Sequence, residues 1–360
     1  MSLGRGRRRG LRAHEERRGR VPDRRRARRP SSHSGRRNES AERPSGGTAL
    51  VTGAEGFIGR VLVARLADSG RKVIACHHGE VPGPRPARSA SLAYRRLDVT
   101  DPGSVRRLVS ASAPDEIFHL AAMSLPSISW VEPWETLRVN VQGTVNVLEE
   151  ARRASTEPRV FIACSSAEYG DSAGVESGAH EESPLYPLHP YGVSKVAQDL
   201  LGRQYFRNYG VRALRGRIFN TIGPGKVNDA PSDFASQIAA VEAGRAQAVE
   251  VGNLDTRRDF TDVRDMVDGI LTTTRQGRAG EAYNLCGGRA ISLRTVLETL
   301  LSFASAPVPW TVQAERIRPT DEPLILGSNR KVASELGWTP KIPIEETLRS
   351  IYDYWHDRPS

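Results

Sequence analysis

The feature that most constrains the fold is an alternation of strand-like and helical segments that begins at Thr48. Because parallel strands need long crossover connections, this order predicts an α/β fold in which a parallel sheet carries helices on both faces. The strand-like runs are 49–52, 72–76, 116–120, 160–164 and 211–218, and the helical segments between them are about 57–69, 104–111, 134–154 and 191–208.

The alternation loosens beyond about residue 220. We expect residues 48–220 to form the sheet domain, and residues 221–360 to form a smaller C-terminal α/β lobe that returns some sheet and helix to the first domain. Helical segments are predicted near 232–244, 262–276, 291–304 and 344–356, with short strands near 248–251, 282–286 and 323–326.

The N-terminal segment, residues 1–47, differs sharply from the rest. It holds 16 Arg, no Lys and 5 acidic residues, a net charge of +11, whereas the whole chain carries +10. A segment so rich in Arg, Gly, Ser and Pro cannot bury enough apolar surface to fold, and we predict a disordered extension. Only this basic segment could bind nucleic acid. The rest of the chain is near neutral, which argues against nucleic acid as a main partner.

Hydropathy and cysteine spacing bear on the compartment. No segment of about 18 apolar residues is present, which predicts no membrane span, and no apolar secretory signal follows the start. Cys76, Cys164 and Cys286 lie far apart in short apolar runs, without the spacing of metal ligands. They predict reduced, buried thiols in a cytoplasmic protein and no metal site.

A glycine-rich loop follows the first strand. Residues 52–59, TGAEGFIG, place three glycines at GxxGxxG spacing between a strand and a helix. In this context the first glycine allows a tight turn, the second lets the backbone approach a pyrophosphate, and the third lets the helix pack closely on the strand. We predict that a dinucleotide binds at the helix N-terminus. The residues predicted to hold it are Gly53, Gly56, Phe57, Ile58 and Gly59.

The end of the second strand bears on the choice of dinucleotide. An acidic residue there would bind the ribose 2′-hydroxyl, and a cation would favour a 2′-phosphate. The chain has His77 at this point, with Arg85 and Arg88 in the loop beyond. We therefore predict NADP(H), with NAD(H) as the alternative. Asp98, just past the third strand and next to Val99, is placed to bind the adenine amino group.

Tyr191 and Lys195 are four residues apart in a segment of helical pattern, so their side chains share one face. A free tyrosine has a pKa of about 10 and is a poor base near neutrality, but a neighbouring ammonium group favours the phenolate. The tyrosine can then exchange a proton with an alcohol or a ketone while hydride moves. Ser165, at the end of a core strand, is predicted to hold the same substrate oxygen.

Together these segments resemble the extended short-chain dehydrogenase/reductase superfamily, in its NAD-dependent epimerase/dehydratase form, from about Thr48 to the C terminus. The resemblance implies a Rossmann-like doubly wound parallel sheet with a smaller C-terminal α/β substrate-binding lobe. It implies that Ser165, Tyr191 and Lys195 are catalytic and that Asn140 supports the lysine through a water. It adds three residues to the cofactor site: Leu120, Ala121 and Ala122.

The second half resembles the branch of this superfamily that acts on GDP-mannose derivatives. Residues 252–260, GNLDTRRDF, and residues 318–321, RPTD, carry this likeness. It implies that Arg258 and Arg318 contact the nucleotide diphosphate and ribose, since an arginine fork suits a diphosphate, and that Asp321 is their acidic partner. The other substrate-binding residues that it implies are Ser124, Ser166, Glu168, Asn220 and Gln237.

This branch contains 4,6-dehydratases and 4-ketoreductases. By the resemblance, a dehydratase carries a Thr-(Ser/Asp)-Glu run at the strand end, and this Glu removes a proton at C5 and expels the C6 hydroxyl. Aligned on Tyr169 and Gly170, that position holds Ala167, which cannot carry a proton. Glu168, one residue further, would face the opposite way on a strand.

The missing Glu favours a 4-ketoreductase. Its substrate would be GDP-4-keto-6-deoxy-D-mannose, and its product GDP-6-deoxy-D-mannose (GDP-rhamnose) or the C4 epimer GDP-6-deoxy-talose. The alternatives are a GDP-mannose 4,6-dehydratase, an NAD-dependent nucleotide-sugar epimerase and a non-catalytic dinucleotide-binding module. The resemblance also implies a homodimer that forms through the helices predicted at 134–154 and 191–208.

Overall fold

The structure is a computed structural model that describes residues 47–79, 91–316 and 322–358. These described residues belong to one compact unit. Within them, no helix combines the length and the apolar character that crossing a membrane requires. The predictions made for residues 1–46, Arg85, Arg88, Arg318 and Asp321 lie outside the described residues.

The described strands are numbered in chain order. They are β1 (Thr48–Thr52), β2 (Lys72–His77), β3 (Leu92–Arg96), β4 (Glu116–His119), β5 (Arg159–Ser165), β6 (Arg212–Ile218), β7 (Asn220–Ile222), β8 (Val249–Val251), β9 (Arg257–Asp262), β10 (Ala282–Leu285), β11 (Ala290–Ser292), β12 (Trp310–Val312) and β13 (Leu324–Ile325).

Seven of these strands form one parallel sheet in the order β3-β2-β1-β4-β5-β6-β10. This order confirms the predicted Rossmann-like doubly wound sheet. The strand order reverses direction between β1 and β4, and open sheets of this kind bind ligands in the crevice at that point, beyond the carboxyl ends of the strands. The glycine-rich loop and the ends of β4 and β5 therefore meet at one edge.

The described helices are likewise numbered in chain order. They are α1 (Phe57–Asp68), α2 (Pro102–Ser112), α3 (Pro126–Val131), α4 (Pro133–Leu137), α5 (Gly143–Arg153), α6 (Pro190–Tyr209), α7 (Ala230–Glu242), α8 (Val263–Gln276), α9 (Leu293–Leu301), α10 (Arg330–Leu336) and α11 (Ile344–His356).

Helices cover both faces of the sheet, as predicted. On one face, Leu62 and Leu66 of α1 share a core with Ile270 of α8. On the other, Val105 of α2 shares a core with Leu148 of α5. The strands between the two cores are buried on both sides, which explains their continuous apolar runs.

The helix predicted at 134–154 is continuous but is not α-helical throughout. Helices α4 and α5 are joined without a break by one π-helical turn, Arg138–Gln142. Such a turn adds one residue to the helical repeat and is frequent at functional sites, because it turns a side chain toward a new direction. Here the side chain that it buries is that of Asn140.

The smaller lobe is built around β9, which pairs with β7, β11 and β13, and β8 pairs with β12. Its core joins Phe234 and Ile238 of α7 to Leu300 of α9 and Ile351 of α11. The strand predicted near 282–286 is one that the C-terminal part of the chain returns to the central sheet. As β10 it pairs with β6 at the edge of the central sheet, because its apolar run is buried by α8 and α10. The domain boundary at residue 220 stays a prediction.

Candidate active site

The glycine-rich loop has the geometry of a dinucleotide cradle. Gly53 has a φ of +69°, and a Cβ there would lie 2.8 Å from the backbone nitrogen of Ala121. A Cβ on Gly59 would lie 2.1 Å from the Gly53 carbonyl oxygen. Only glycine fits at either position, so α1 starts close to the strand end. Gly56, the N-cap of α1, has no side chain to satisfy the first N–H groups of the helix, which suits an anion.

The structure places an acidic side chain at the end of β2, where the sequence interpretation found none. The Glu55 carboxylate reaches this point from the glycine-rich loop, and its Oε1 accepts the backbone N–H of His78 at 2.8 Å. Its Oε2 is buried without a hydrogen-bond partner. His77 turns back instead, with its Nδ1 2.6 Å from the Gly79 oxygen. A carboxylate therefore lies where a ribose 2′-hydroxyl is expected.

Asp98 lies beyond β3 at the same edge and is exposed, and Val99 beside it is buried. Asp98 Oδ1 accepts two hydrogen bonds from Thr100, at 2.8 and 2.7 Å. Partial burial opposes ionisation, but these bonds prevail and lower the pKa of Asp98. The side chain is an anion in a turn, which leaves its predicted contact with adenine open.

Ser165, Tyr191 and Lys195 come together where β5 ends and α6 begins. The Ser165 side chain hydrogen-bonds to the Tyr191 hydroxyl. The Lys195 Nζ lies 5.7 Å from the centre of the Tyr191 ring and donates a bond of 2.7 Å to the Ala163 oxygen. The backbone of β5 thus holds the Lys195 side chain at the carboxyl edge of the sheet. The Tyr191 ring also stacks on His189, with 5.8 Å between the ring centres.

Burial sets the protonation of this pair. Burial raises the pKa of Tyr191 to about 12, although its bond with Ser165 lowers it. Burial lowers the pKa of Lys195 to about 8. The lysine therefore loses its proton before the tyrosine does, and near neutrality Tyr191 is a neutral phenol beside an ammonium group. A protonated tyrosine is the form needed to donate a proton.

The π-helical turn orients Asn140. Its Oδ1 accepts the Met123 N–H at 2.8 Å, and its Nδ2 donates to the Met123 oxygen at 3.1 Å and to Ser194 Oγ at 2.8 Å. The Ser194 hydroxyl donates in turn to the backbone carbonyl oxygen of Tyr191 at 2.6 Å. Asn140 thus ties the segment after β4 to the first turns of α6. Its predicted support of Lys195 stays a prediction.

A second buried network was missed by the sequence interpretation. The ring nitrogens of His119, at the end of β4, lie 2.9 Å from Thr52 Oγ1 and 3.0 Å from Thr144 Oγ1. The Thr144 hydroxyl donates its hydrogen to the backbone carbonyl oxygen of Asn140, so it can only accept from His119. His119 therefore carries its proton on Nε2 and accepts from Thr52 on Nδ1. Thr52 also accepts the Ala121 N–H at 3.2 Å, so the network fixes the Leu120–Ala122 segment beside Gly53.

His119 is neutral in this network. Burial, with the nearby charge of Lys195, lowers the pKa of His119 to about 3. The sequence signal that could have revealed its role is the polar residue that ends an apolar strand at the carboxyl edge of the sheet.

Glu168 requires a correction, because the structure does not place it as a substrate ligand. The chain after Ser165 turns into one 3-10 turn, Ser166–Glu168, and the carboxylate is fully buried. Its Oε1 accepts the backbone N–H of Ser165 at 2.8 Å, and its Oε2 lies 3.4 Å from Arg217 Nε. Ala167, at the position of the elimination Glu, is followed by an acid that points into the protein.

Gln237 also requires a correction. Its amide exchanges two hydrogen bonds with the backbone of Glu250, at 2.8 and 3.1 Å, and donates a third to Asp233 at 2.9 Å. One of its N–H groups therefore joins α7 to β8, and the other is used within α7. The contact with substrate implied by the resemblance is not supported.

Four other predicted substrate residues lie at the carboxyl edge or beside it. Ser165 is level with Ile218 at the end of β6, and Asn220 follows two residues later and pairs with Phe260 of β9. Arg258 lies two residues before Phe260, and its Nη1 donates to the Glu322 oxygen at 2.7 Å. Ser166 directly follows Ser165. Ser124 is exposed just after the segment held by Asn140.

Comparison with known proteins places this site in a family. The family described as GDP-mannose 4,6 dehydratase matches residues 50–351. The chain belongs to this family. A GDP-6-deoxy-D-mannose reductase of Pseudomonas aeruginosa is 33% identical over 312 residues, which cover 86% of this chain and 97% of the relative.

Solved structures support the same placement. RMD from Pseudomonas aeruginosa, complexed with NADPH, has a TM-score of 0.74 and 30% identity, and the match covers 87% of this chain and 100% of that one. A UDP-glucose 4-epimerase of Thermus thermophilus, complexed with NAD, has a TM-score of 0.75 and 26% identity, over 86% and 99% of the two chains. Structures similar to this chain therefore include one complexed with NADPH and one complexed with NAD.

Proposed function

We propose that this protein is a nucleotide-sugar 4-ketoreductase that converts GDP-4-keto-6-deoxy-D-mannose to GDP-6-deoxy-D-mannose or to GDP-6-deoxy-talose. The observation that carries the proposal is the meeting of Ser165, Tyr191 and Lys195 at the carboxyl edge of the sheet, with Ala167 at the position where the resemblance gives a dehydratase its Glu. The similarity to a GDP-6-deoxy-D-mannose reductase over nearly the full length of that relative supports it.

The glycine-rich loop fits a bound dinucleotide, because glycine at positions 53 and 59 lets α1 begin close to the end of β1, where its first N–H groups have no side-chain cap. When bound there, a reduced nicotinamide supplies a hydride to C4 of the sugar. Ser165 donates a hydrogen bond to the C4 ketone oxygen, and Tyr191 transfers its proton to the same oxygen. Lys195, with its ammonium charge nearby, stabilises the tyrosinate that this transfer leaves.

A dehydratase needs a proton acceptor for C5, and the site does not offer one at the expected place. Ala167 carries no ionisable group. The next residue, Glu168, is bonded to the Ser165 backbone and lies beside Arg217 on its buried side. Moving its carboxylate into the cleft would break both interactions and leave Arg217 with one acid fewer.

For the cofactor, we propose NADP(H), with NAD(H) also accepted. The NADPH bound to the P. aeruginosa structure supports the first choice. Glu55 supports the second, since a carboxylate at the end of β2 can accept the ribose 2′-hydroxyl.

We further propose a cytoplasmic homodimer. On α3 and α4, Val131 is 79% exposed and Trp134 75% exposed, and Val193 and Leu200 of the neighbouring α6 are about half exposed. Apolar side chains of this size are rarely left in water when they lie together. The three buried free cysteines fit a reducing compartment. Sedimentation of a Trp134→Glu variant tests the dimer, which it should shift to monomer.

The test of activity is a coupled assay. A separate dehydratase generates GDP-4-keto-6-deoxy-D-mannose, the protein is added with NADPH or NADH, and the loss of nicotinamide absorbance is followed. NMR of the product distinguishes the two C4 epimers. Oxidation of cofactor that requires keto-sugar supports the reductase. Absence of oxidation with both cofactors refutes it, and GDP-mannose and UDP-sugars then test the dehydratase and the epimerase.

A further inference from the structure

Four buried charges lie directly behind the candidate catalytic groups. The Arg217 Nε lies 2.9 Å from Asp199 Oδ2 and 3.4 Å from Glu168 Oε2. Arg215 forms a second ion pair with Asp199. The side chains of all four residues are at most 8% exposed. Two guanidinium groups thus face two carboxylates, which is the balance a buried ionic cluster requires.

This cluster joins the two elements that carry the catalytic groups. From the strand side, Glu168 accepts the backbone N–H of Ser165. From the helix side, Asp199 lies on α6 one turn beyond Lys195 and two turns beyond Tyr191, so the three share one face. Both carboxylates end on one guanidinium group, that of Arg217 on β6.

The hydroxyl-to-hydroxyl bond between Ser165 and Tyr191 spans the same two elements. Its geometry depends on how far the end of β5 lies from the first turn of α6. The backbone of β5 alone does not fix this, because the chain leaves the sheet at Ser165 and turns. An ionic cross-link behind the bond restrains both sides at once.

We propose that Glu168, Arg217 and Asp199 form a positioning network that holds Ser165 against Tyr191, and that Glu168 is a positioning residue for the reaction. This inference rests on the proposed function for its kinetic consequences. The network does not contact the cleft; it acts through the backbone of Ser165 and through α6.

A metal-binding site explains these buried carboxylates less well than an ionic network does. Cys164, Glu168 and Asp199 place possible ligand atoms within 4.8 Å of one another. Both oxygens of Asp199 are already engaged by Arg215 and Arg217, however, and these guanidinium groups would repel a cation. The arginines supply the positive charge that a metal ion would otherwise supply.

The proposal predicts an electrostatic effect on Tyr191. Burial and the nearby Asp199 raise the pKa of Glu168 well above its usual range, and Arg217 opposes this shift. Ionised Glu168, held by Arg217, adds to the effect of burial on the pKa of Tyr191 and opposes the effect of burial on the pKa of Lys195. A neutral residue at position 168 should therefore lower the pKa of Tyr191. The other titratable or charged groups that act on or contact this tyrosine are Cys164, Lys195 and His189.

The variants separate charge from hydrogen bonding. Glu168→Gln keeps an oxygen that can accept the Ser165 N–H but removes the charge, and Glu168→Leu removes both. We expect kcat to fall about tenfold in the first and about a hundredfold in the second, with KM for the keto-sugar within about twofold. Asp199→Asn removes the charge that α6 contributes to the network. The loss of kcat in the double variant with Glu168→Gln should be smaller than the product of the two single losses, since both act through Arg217.

Glu116→Gln is the matched control. Glu116 forms a buried ion pair with Arg71 but lies at the start of β4, at the opposite edge of the sheet. It should lose stability as Glu168→Gln does, while its kcat and its pH profile stay unchanged. An equal loss of kcat in this control would show that any buried ion pair has the same effect and would overturn the proposal.

A second readout does not depend on the reaction. The pKa of Tyr191 is measured by absorbance titration as the difference between a protein and its Tyr191→Phe counterpart. Glu168→Gln should shift this titration to lower pH, whereas Glu116→Gln should not. An unchanged titration together with a wild-type kcat in Glu168→Leu refutes the network. A shifted titration in a protein that reduces no keto-sugar refutes only the proposed function.

Discussion

The replacement of Tyr191 by phenylalanine is the most direct test of the site. It removes one oxygen atom and leaves the ring in place, stacked on His189 and 5.7 Å from the Lys195 Nζ. Because burial raises the pKa of Tyr191 to about 12, the wild-type residue is fully protonated near neutral pH and ready to donate. Phenylalanine removes that donor without opening a cavity.

The two consequences of the change differ greatly in size. The buried hydroxyl loses its bond with Ser165, which costs ~1 kcal/mol of folding free energy. Loss of a positioned proton donor lowers kcat by roughly 10²- to 10⁴-fold, or about 3 to 5 kcal/mol of activation free energy. Binding of the dinucleotide should be little affected, because the glycine-rich loop is untouched.

The assay measures kcat by the coupled reaction and measures NADPH affinity by fluorescence titration in the same preparation. Tyr205→Phe is the matched control: Tyr205 is buried on the same helix, and its hydroxyl donates to Glu149 at 3.0 Å, away from the cleft. It should lose similar stability and keep its activity. If Tyr191→Phe keeps more than about a tenth of the wild-type kcat, Tyr191 is not the proton donor and the mechanism is wrong.

Three further predictions follow from single contacts. Glu55→Gln should raise the ratio of kcat/KM for NADPH to that for NADH by about tenfold, because it removes a negative charge from the end of β2; an unchanged ratio would mean that Glu55 does not face the ribose. Gly59→Ala should weaken NADPH binding and lower stability by about 1 to 3 kcal/mol, because its Cβ would lie 2.1 Å from the Gly53 oxygen; wild-type binding and melting temperature would contradict this. His119 has a pKa of about 3 when folded, against an ordinary value of 6.5, so the unfolded chain binds the extra proton and stability falls as the pH drops below about 6.5. By pH 5 His119 alone should lower the free energy of unfolding by ~2 kcal/mol. Urea unfolding at pH 7 and pH 5 should show this loss in the wild type and not in His119→Gln.

Several features were predictable because the information is local. Strand and helix periodicities repeat within a few residues, and they predicted β1, β2, β4, β5 and β6 with helices between them, but not the bounds of β3. The glycine-rich loop needs only eight consecutive residues between β1 and α1. Tyr191 and Lys195 share a helix face because four residues make about one turn. In each case the signal and its consequence lie in the same short segment.

Other features depend on contacts between distant segments, and only the tertiary structure decided them. Glu55 occupies the end of β2 because the glycine-rich loop folds over it, and no local pattern shows that its carboxylate meets His78. Glu168 looked like a residue of the cleft, but one 3-10 turn after Ser165 directs it to Arg217 on the neighbouring strand. The sequence predicted that some sheet returns from the C-terminal part, but only the structure showed that it is the run at 282–285, beside β6.

The sequence by itself determined the fold class and the glycine-rich loop, and it predicted the proton-transfer residues, since each follows from spacing along one chain segment. The tertiary structure decided which charges are buried together and which face the cleft. Parallel strands bring their carboxyl ends to one edge although they are many residues apart, and the partner that a buried charge finds there depends on side-chain packing among several elements rather than on sequence spacing.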